Sequence, residues 1–262
     1  MNASPLRRLL LAAVGSVLLT CALGASGATP VSQPFDIRGQ SMTLRTYGAR
    51  GGDPVIVSSG DGGWVHLGPH IASTLAAHGY FVVGFDVKSY LSQFTSSAST
   101  LRADDVPADY ERLVQFAAQG STKKPVLIGV SEGAGLSVLA AADPRLHASA
   151  GGVVGVGLPT INELGWRWRD SLIYLTHGVP NEPTFNAASI IGRVAPLPLA
   201  SIQSTQDEFV GVQEEQDLVS HASMPKRLWV VRASDHRFSD NLGEFDARLL
   251  EALTWIREQA AH

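Results

Sequence analysis

The chain has 262 residues, of which 45% are hydrophobic and 17% charged, and its formal net charge is −4. This length suits one large domain with a full core or two small ones, and the composition is that of a folded globular protein. Because the body of the chain has no basic stretch, we exclude nucleic acid as a partner.

The N-terminal residues have the pattern of a secretory signal peptide. Two arginines precede an apolar stretch at residues 9–23, and small residues then offer a cleavage site after Ala28. The apolar stretch is short for a membrane span, which favours a signal over an anchor. Cys21, the only cysteine, would leave with residues 1–28, so that the mature chain has no disulfide. We expect a periplasmic or secreted protein with one domain at residues 29–262.

In the body of the chain, strand patterns alternate with helix patterns. Apolar or alternating runs predict a first, edge strand at residues 41–47 and further strands at residues 54–58, 80–85, 126–129, 152–157, 199–202 and 228–231. Apolar residues at helical spacing predict helices between these strands and a last helix at residues 244–258. This alternation predicts a mostly parallel central sheet with helices on both faces.

The alternation stops at about residues 159–195, a stretch that holds Trp166, Trp168, Tyr174 and His177. An insert at this point of such a sheet is a natural place for a lid. The alternative is a loop whose aromatic side chains simply pack on the body.

A serine lies between a predicted strand and a predicted helix at residues 129–133, which read G-V-S-E-G. A serine on such a turn has a strained backbone and an exposed hydroxyl, and the flanking glycines avoid clashes where strand and helix pack. This is the pattern of a nucleophile elbow, so the sequence predicts an α/β-hydrolase fold with Ser131 as nucleophile.

A nucleophilic serine needs a histidine base and an orienting acid, which follow it in that fold in the order acid, then histidine. Asp207 and His236 each follow a predicted strand, and we expect both at the same sheet edge as Ser131. Glu208, next to Asp207, is the alternative acid.

The proposed chemistry also needs two N–H donors for the developing oxyanion. One is expected from the backbone of Glu132, the residue after the nucleophile. The other is expected from Asp61 or Gly62, in the glycine-rich loop after the strand at residues 54–58.

Two further histidines, His66 and His70, have a spacing found in metal sites. Gly68 and Pro69 interrupt the helix that such a pair would need, so we interpret the histidines as a surface pair. The sequence predicts no metal and no cofactor.

Several of these segments resemble the VirJ/AcvB family of exported bacterial virulence-associated proteins. The resemblance is carried by residues 59–64 (S-G-D-G-G-W), residues 84–91 (G-F-D-V-K-S-Y-L), the elbow and residues 234–238 (S-D-H-R-F). It implies an α/β-hydrolase of the periplasm that hydrolyses aminoacylated phospholipids such as lysyl-phosphatidylglycerol. The elbow of the family usually reads G-Y-S-F-G-A-D, from which this chain departs at Val130, Glu132 and Gly135.

The same loops predict the residues that contact substrate: Asp61, Asp86, Lys88, Tyr90, Glu132 and Trp166. The three carboxylates among them would form an acidic rim that favours a cationic acyl group. The alternative is that these carboxylates face solvent or cap helices.

The sequence thus predicts an exported serine hydrolase that cleaves a carboxylic ester through an acyl-enzyme, with an aminoacyl-phospholipid as the substrate implied by the resemblance. We expect a small-molecule or lipid ester as partner, with peripheral contact with the membrane surface. A general carboxylesterase or peptidase is one alternative. A non-catalytic periplasmic binding protein that aids secretion is another.

Overall fold

A computed structural model describes residues 30–167 and 182–260 of the chain. Within them, the central sheet consists of β1 (Val31–Ile37), β2 (Gln40–Tyr47), β3 (Asp53–Ser58), β4 (Tyr80–Phe85), β5 (Val126–Val130), β6 (Gly152–Val156), β9 (Leu199–Ser204) and β10 (Lys226–Val231). A separate antiparallel hairpin consists of β7 (Ile161–Glu163) and β8 (Thr184–Asn186).

The strands of the central sheet lie in the order β1-β2-β4-β3-β5-β6-β9-β10. The first two strands are antiparallel to their neighbours, and all pairings from β4 to β10 are parallel. The middle strands β5 and β6 are buried along their whole length, as their continuous apolar sequences require. The sheet therefore brings the carboxyl ends of six parallel strands to one edge.

Helices cover both faces of the sheet: α1 (Leu67–Ala77), α2 (Val87–Phe94), α3 (Val106–Ala117), α4 (Glu132–Ala141), α5 (Pro144–His147), α6 (Val212–Ser220) and α7 (Leu242–Gln259). On one face, α1 and α7 bury residues such as Ile71 and Phe245 against the sheet. On the other face, α2, α3 and α4 contribute residues such as Tyr90, Leu113 and Leu136 to a second core. All ten residues of α4 are buried, and eight of them, all except Glu132 and Ser137, are glycine or apolar.

The prediction of a mostly parallel sheet with helices on both faces is confirmed. The strand predicted at residues 41–47 exists as β2, but it is not at the edge, because β1 pairs along its outer side. The sequence pattern does not reveal β1, since six of its seven residues are exposed or half-buried and give no apolar alternation.

The predicted insert is only partly separate from the body. Its described part contains β7 and β8, but Ala187 and Ile191 have no exposed surface and belong to the core. The C-terminal part of residues 159–195 is therefore part of the body. Residues 168–181, with Trp168, Tyr174 and His177, lie outside the described residues, as does the predicted signal peptide.

For the part of the chain that the structure describes, we find no helix that combines the length and the apolar character needed to cross a membrane.

Candidate active site

Ser131 occupies the turn between β5 and α4 with φ 51° and ψ −120°, a left-handed conformation that is strained for a side-chain-bearing residue. Its N–H donates to the carbonyl oxygen of Val156 at 2.8 Å, which fixes the turn to the end of β6. The flanking glycines are required by space. A Cβ at Gly129 would lie 2.2 Å from the carbonyl oxygen of Gly133, and one at Gly133 would lie 2.3 Å from that of Ser59.

The glycine-rich loop after β3 lies beside Ser131. A Cβ at Gly60 would lie 3.4 Å from the Cβ of Ser131, and the loop closes through the N–H of Gly63, which donates to the carbonyl oxygen of Gly60 at 3.0 Å. Asp61 and Gly62, the predicted donors, stand at the tip of this closed loop, half-buried and exposed respectively.

His236 and Asp207 are in direct contact at the same edge of the sheet. Nδ1 of His236 lies 2.5 Å from Oδ2 of Asp207. The other carboxylate oxygen of Asp207 accepts from the N–H groups of Phe209 and Val210, both at 2.8 Å. Burial alone would raise the pKa of Asp207, but the hydrogen bond and charge of His236, with these two N–H groups, hold its pKa below the usual value. The carboxylate therefore stays charged and orients the imidazole.

Glu208 has a different contact with the same histidine. Its Oε2 accepts from the backbone N–H of His236 at 2.8 Å and so holds the loop rather than the ring. Asp235 holds the loop from the other side, since its Oδ1 accepts from the N–H groups of Arg237 at 3.0 Å and Ser239 at 2.9 Å.

The turn that follows β6 lies between the serine and the histidine. Val156 accepts the hydrogen bond of Ser131, and a Cβ at Gly157 would lie 2.5 Å from Cε1 of His236 and 3.4 Å from Oδ2 of Asp207. Sequence reasoning predicted Gly157 only as the end of a strand. A glycine directly at the carboxyl end of a strand next to the elbow is the signal that could have identified it.

Three of the predicted substrate residues lie together behind the glycine-rich loop. A Cβ at Gly63 would be 3.5 Å from Oδ1 of Asp86 and 3.4 Å from Cδ of Lys88. Nζ of Lys88 in turn lies 4.3 Å from the centre of a ring of Trp166. Asp86 also caps α2, because its Oδ1 accepts from the N–H of Ser89 at 3.1 Å.

Glu132 differs from the predicted acidic rim. Its side chain is only 7% exposed, and its carboxyl accepts a hydrogen bond from the N–H of Glu163 in β7. Burial raises the pKa of Glu132 well above its usual range, and the nearby charges of Glu163 and Asp61 raise it further. The hydrogen bond from the backbone of Glu163 lowers this pKa but does not offset the other effects. The carboxyl of Glu132 is therefore buried and its charged form is disfavoured, and the prediction that it forms part of an exposed acidic rim is wrong.

Tyr90 is likewise not placed for substrate contact. Its side chain is fully buried, with its ring against Phe85 and Phe94, and its hydroxyl donates to Oδ2 of Asp109 at 2.6 Å. Arg38 pairs with the same carboxylate, Nε to Oδ1 at 3.0 Å. The prediction for Tyr90 is wrong because this residue belongs to a buried polar cluster.

Trp64 connects the glycine-rich loop to the neighbouring strand β4. Its indole occupies the space above Gly84, where a Cβ would lie 2.4 Å from Cη2. Its Nε1 donates to the hydroxyl of Tyr47 at 3.2 Å. Trp64 therefore attaches the glycine-rich loop to β4 and to β2.

His66 and His70 lie near this loop, at the start of α1. Nε2 of His70 is hydrogen-bonded to Oδ1 of Asp246 at 2.8 Å, and His66 is exposed. Together with Asp235 and Arg237 they line an open groove of about 270 Å³. Among the described residues, no cluster of three or more histidine, cysteine or acidic side chains has the arrangement of a metal site.

Comparison with known proteins identifies the family. The model of a family described as "Bacterial virulence protein (VirJ)" matches residues 53–256, so the chain belongs to the VirJ family. No curated protein matches the sequence significantly.

Solved structures of α/β-hydrolases resemble this fold. The alpha/beta hydrolase GrgF from Penicillium sp. sh18 is 14% identical with a TM-score of 0.63, covering 89% of this chain and 99% of that one. A membrane phospholipase A, described as a novel bacterial virulence factor, is 14% identical with a TM-score of 0.63, covering 89% of this chain and 88% of that one. Est1E from Butyrivibrio proteoclasticus is 12% identical with a TM-score of 0.63, covering 88% and 99%. At these identities the likeness shows the α/β-hydrolase fold.

Proposed function

We propose that this member of the VirJ family is an exported serine hydrolase that cleaves a carboxylic ester through Ser131, His236 and Asp207. One observation carries the proposal: a strained serine and an aspartate-bound histidine lie on the two sides of the Val156–Gly157 turn. Backbone strain at a polar residue is typical of functional sites.

In the proposed reaction, Oγ of Ser131 attacks the acyl carbon while Nε2 of His236 accepts the hydroxyl proton. Asp207 keeps the Nδ1–H tautomer and stabilises the imidazolium that forms. The N–H of Glu132 and that of Asp61 or Gly62 bind the oxyanion, and one such donor is worth about 10²–10³ in rate. His236 then donates its proton to the leaving alcohol, and water, activated by the same imidazole, hydrolyses the acyl-enzyme.

For the substrate we propose an aminoacyl ester of a phospholipid. Exposed apolar side chains near the site support a lipid: Phe209, whose ring centroid is 5.5 Å from that of His236, is 49% exposed, and Val65 in the loop before α1 is 49% exposed. Such side chains fit peripheral contact with a membrane surface. A structure described as a membrane phospholipase A resembles this fold, which supports a lipid as the substrate.

A general carboxylesterase is the second candidate, and the burial of Glu132, which disfavours its charged form, favours it. Without an exposed carboxylate at this position, the acidic groups near the serine are fewer than an aminoacyl specificity would use. A peptidase or a non-catalytic binding protein would not need acidic groups near the serine.

A fluorophosphonate probe and a panel of aminoacyl, short-acyl and long-acyl esters test the proposal. We expect the probe to label Ser131 alone and the aminoacyl ester of a phospholipid to be hydrolysed fastest. Equal rates for all esters would support a general carboxylesterase instead. A folded protein that the probe does not label would support a non-catalytic binding function.

We also propose that residues 1–28 are removed on export and that residues 29–262 form one hydrolase domain. Mass spectrometry of the periplasmic fraction should find a mature N-terminus at Thr29. An intact Met1 in the cytoplasmic fraction would overturn the export.

A further inference from the structure

The turn formed by residues 156–158, after β6, contacts both halves of the proposed site. Val156 accepts from the N–H of Ser131 at 2.8 Å, and Gly157 packs against His236. The N–H of Gly157 donates to the carbonyl oxygen of Ile202 at 3.0 Å, which ties the turn to β9. A shift of this turn would therefore change the position of serine and histidine together.

Glu215, in the first turn of α6, holds the same turn from inside the protein. Its side chain has no exposed surface, and Oε1 of its carboxyl accepts from the hydroxyl of Ser201 in β9. The nearby backbone N–H of Leu158 lowers the pKa of this carboxyl. Its other oxygen, Oε2, is buried without a hydrogen-bond partner among the described residues. No Lys, Arg or His pairs with Glu215 in the part of the chain that the structure describes.

An ionised carboxylate is costly in such a place, because burial without a cation or a full set of donors leaves its charge uncompensated. A neutral carboxylic acid is buried at a much lower cost, still accepts the hydrogen bond from Ser201 and still lies against the N–H of Leu158. The geometry of Glu215 thus favours the protonated form.

We propose that Glu215 is a positioning residue, a protonated carboxylic acid that holds the turn at residues 156–158 against Ser131 and His236, and that its ionisation impairs the site at alkaline pH. The catalytic part of this proposal rests on the serine hydrolase function proposed above. Glu215 does not touch the substrate; it acts through Leu158 and Gly157.

The charges around Glu215 agree with this role. Burial raises its pKa to about 8, the hydrogen bond from Ser201 lowers it, and the negative charge of Asp207 raises it. The N–H of Leu158 lowers the pKa, and the charge of Glu214, on the same helix, raises it. Ionisation near pH 8 would place a second negative charge close to Asp207 and add an unpaired charge behind the turn.

The rate at which a fluorophosphonate labels Ser131 between pH 6 and pH 10 tests this proposal without knowledge of the natural substrate. In the wild type the rate should fall about tenfold between pH 7 and pH 9, because a group with a pKa of about 8 loses most of its proton in this range. Glu215→Gln keeps an acceptor oxygen and cannot ionise, so its rate should not fall. Ser201→Ala removes a hydrogen bond that lowers the pKa, so its alkaline fall should move to higher pH.

Glu214→Gln is the matched control. Glu214 precedes Glu215, is exposed and accepts only a long hydrogen bond, 3.4 Å, from the N–H of Thr160. Its charge is the smallest of the influences that raise the pKa of Glu215, so the alkaline fall should persist in this variant and move only slightly to lower pH. The same alkaline fall in Glu215→Gln as in the wild type, or no fall in the wild type, would overturn the proposal.

Thermal unfolding separates this proposal from the proposed function. The pKa of Glu215 in the folded state lies above its ordinary value of 4.5, so its favourable contribution is complete below pH 4.5 and is lost as pH rises to about 8. The melting temperature of the wild type should therefore fall relative to that of Glu215→Gln over this interval. Absence of labelling at every pH would overturn the hydrolase function and the positioning role with it, whereas parallel melting profiles would overturn the protonated carboxyl alone.

Discussion

Gly157 and His236 are packed so closely that a Cβ at position 157 would lie 2.5 Å from Cε1 of the imidazole and 2.9 Å from its Nδ1. Gly157 also has a φ of 58°, which costs a side-chain-bearing residue about 1 kcal/mol. Gly157→Ala should therefore displace the imidazole and lower kcat/KM by about 100-fold, since a misplacement of about 1 Å costs this much. Steady-state kinetics on an ester that the wild type hydrolyses checks this.

Gly243→Ala is the control for this substitution. Gly243 lies in the first turn of α7, and a Cβ there would have no heavy atom within 4 Å. Alanine favours a helix, so this variant should unfold at an equal or slightly higher temperature and keep its kcat/KM. An active Gly157→Ala variant would mean that the imidazole does not act from the position described.

Ser131→Ala and His236→Ala should each lower turnover by about 10³–10⁶-fold, because the two side chains act as one unit. Circular dichroism should show that both variants are folded. The double variant should be about as active as either single one. Persistent labelling by a serine probe in Ser131→Ala would disprove the choice of nucleophile.

Asp207→Asn should lower kcat far more than Glu208→Gln. Asp207 contacts the imidazole itself, and an amide there locks the wrong tautomer, at a cost of up to about 10⁴. Glu208 contacts the backbone N–H of His236, an interaction that glutamine can still make. If Glu208→Gln were the more damaging change, the acid would have been misassigned.

Tyr90→Phe should destabilise the protein without changing its catalysis. The hydroxyl donates to a charged and buried carboxylate, that of Asp109, and its loss should cost about 1.5–3 kcal/mol of unfolding free energy. Urea unfolding measures this loss. A change in KM would instead show that substrate reaches Tyr90.

Asp61→Asn, rather than Glu132→Gln, should weaken any preference for a cationic acyl group. Asp61 is half-buried at the loop tip, and a carboxylate at this exposure is worth about 0.5–1 kcal/mol, or two- to fivefold in kcat/KM. Glu132 is buried and its charged form is disfavoured, so Glu132→Gln should leave the ratio of rates on charged and neutral esters unchanged. The effect of Asp61→Asn should shrink with added salt. If Glu132→Gln changed this preference more than Asp61→Asn did, Glu132 would be the group that recognises the cationic acyl group.

The parts of the fold with strong apolar periodicity were predictable from the sequence. The strands at 54–58, 80–85 and 126–129 and the last helix agree with β3, β4, β5 and α7 to within two residues. The edge strand β1 was not, because its side chains are mostly exposed and its position depends on pairing with β2. The helix α2 was also missed, because it contains few apolar residues. Asp86, the cap of this helix, was assigned instead to a binding site.

The candidate site was predictable where chain order determines it. Ser131, Asp207 and His236 follow strands whose carboxyl ends share one edge, so that topology alone places them near each other. Burial could not be predicted in the same way. The carboxyl of Glu132 and the ring of Tyr90 are covered by β7 and by the core, and neither contact is encoded locally in the sequence.

Because Trp64 packs on Gly84, the residue types at these two positions depend on each other, although they lie in separate segments of the chain. The indole fills the volume that any side chain at position 84 would require, while its Nε1 reaches Tyr47 on a third segment. A lineage could therefore enlarge residue 84 only after residue 64 had become smaller, and a smaller residue 64 would release the glycine-rich loop from its anchor. The two motifs should accordingly be inherited or lost together.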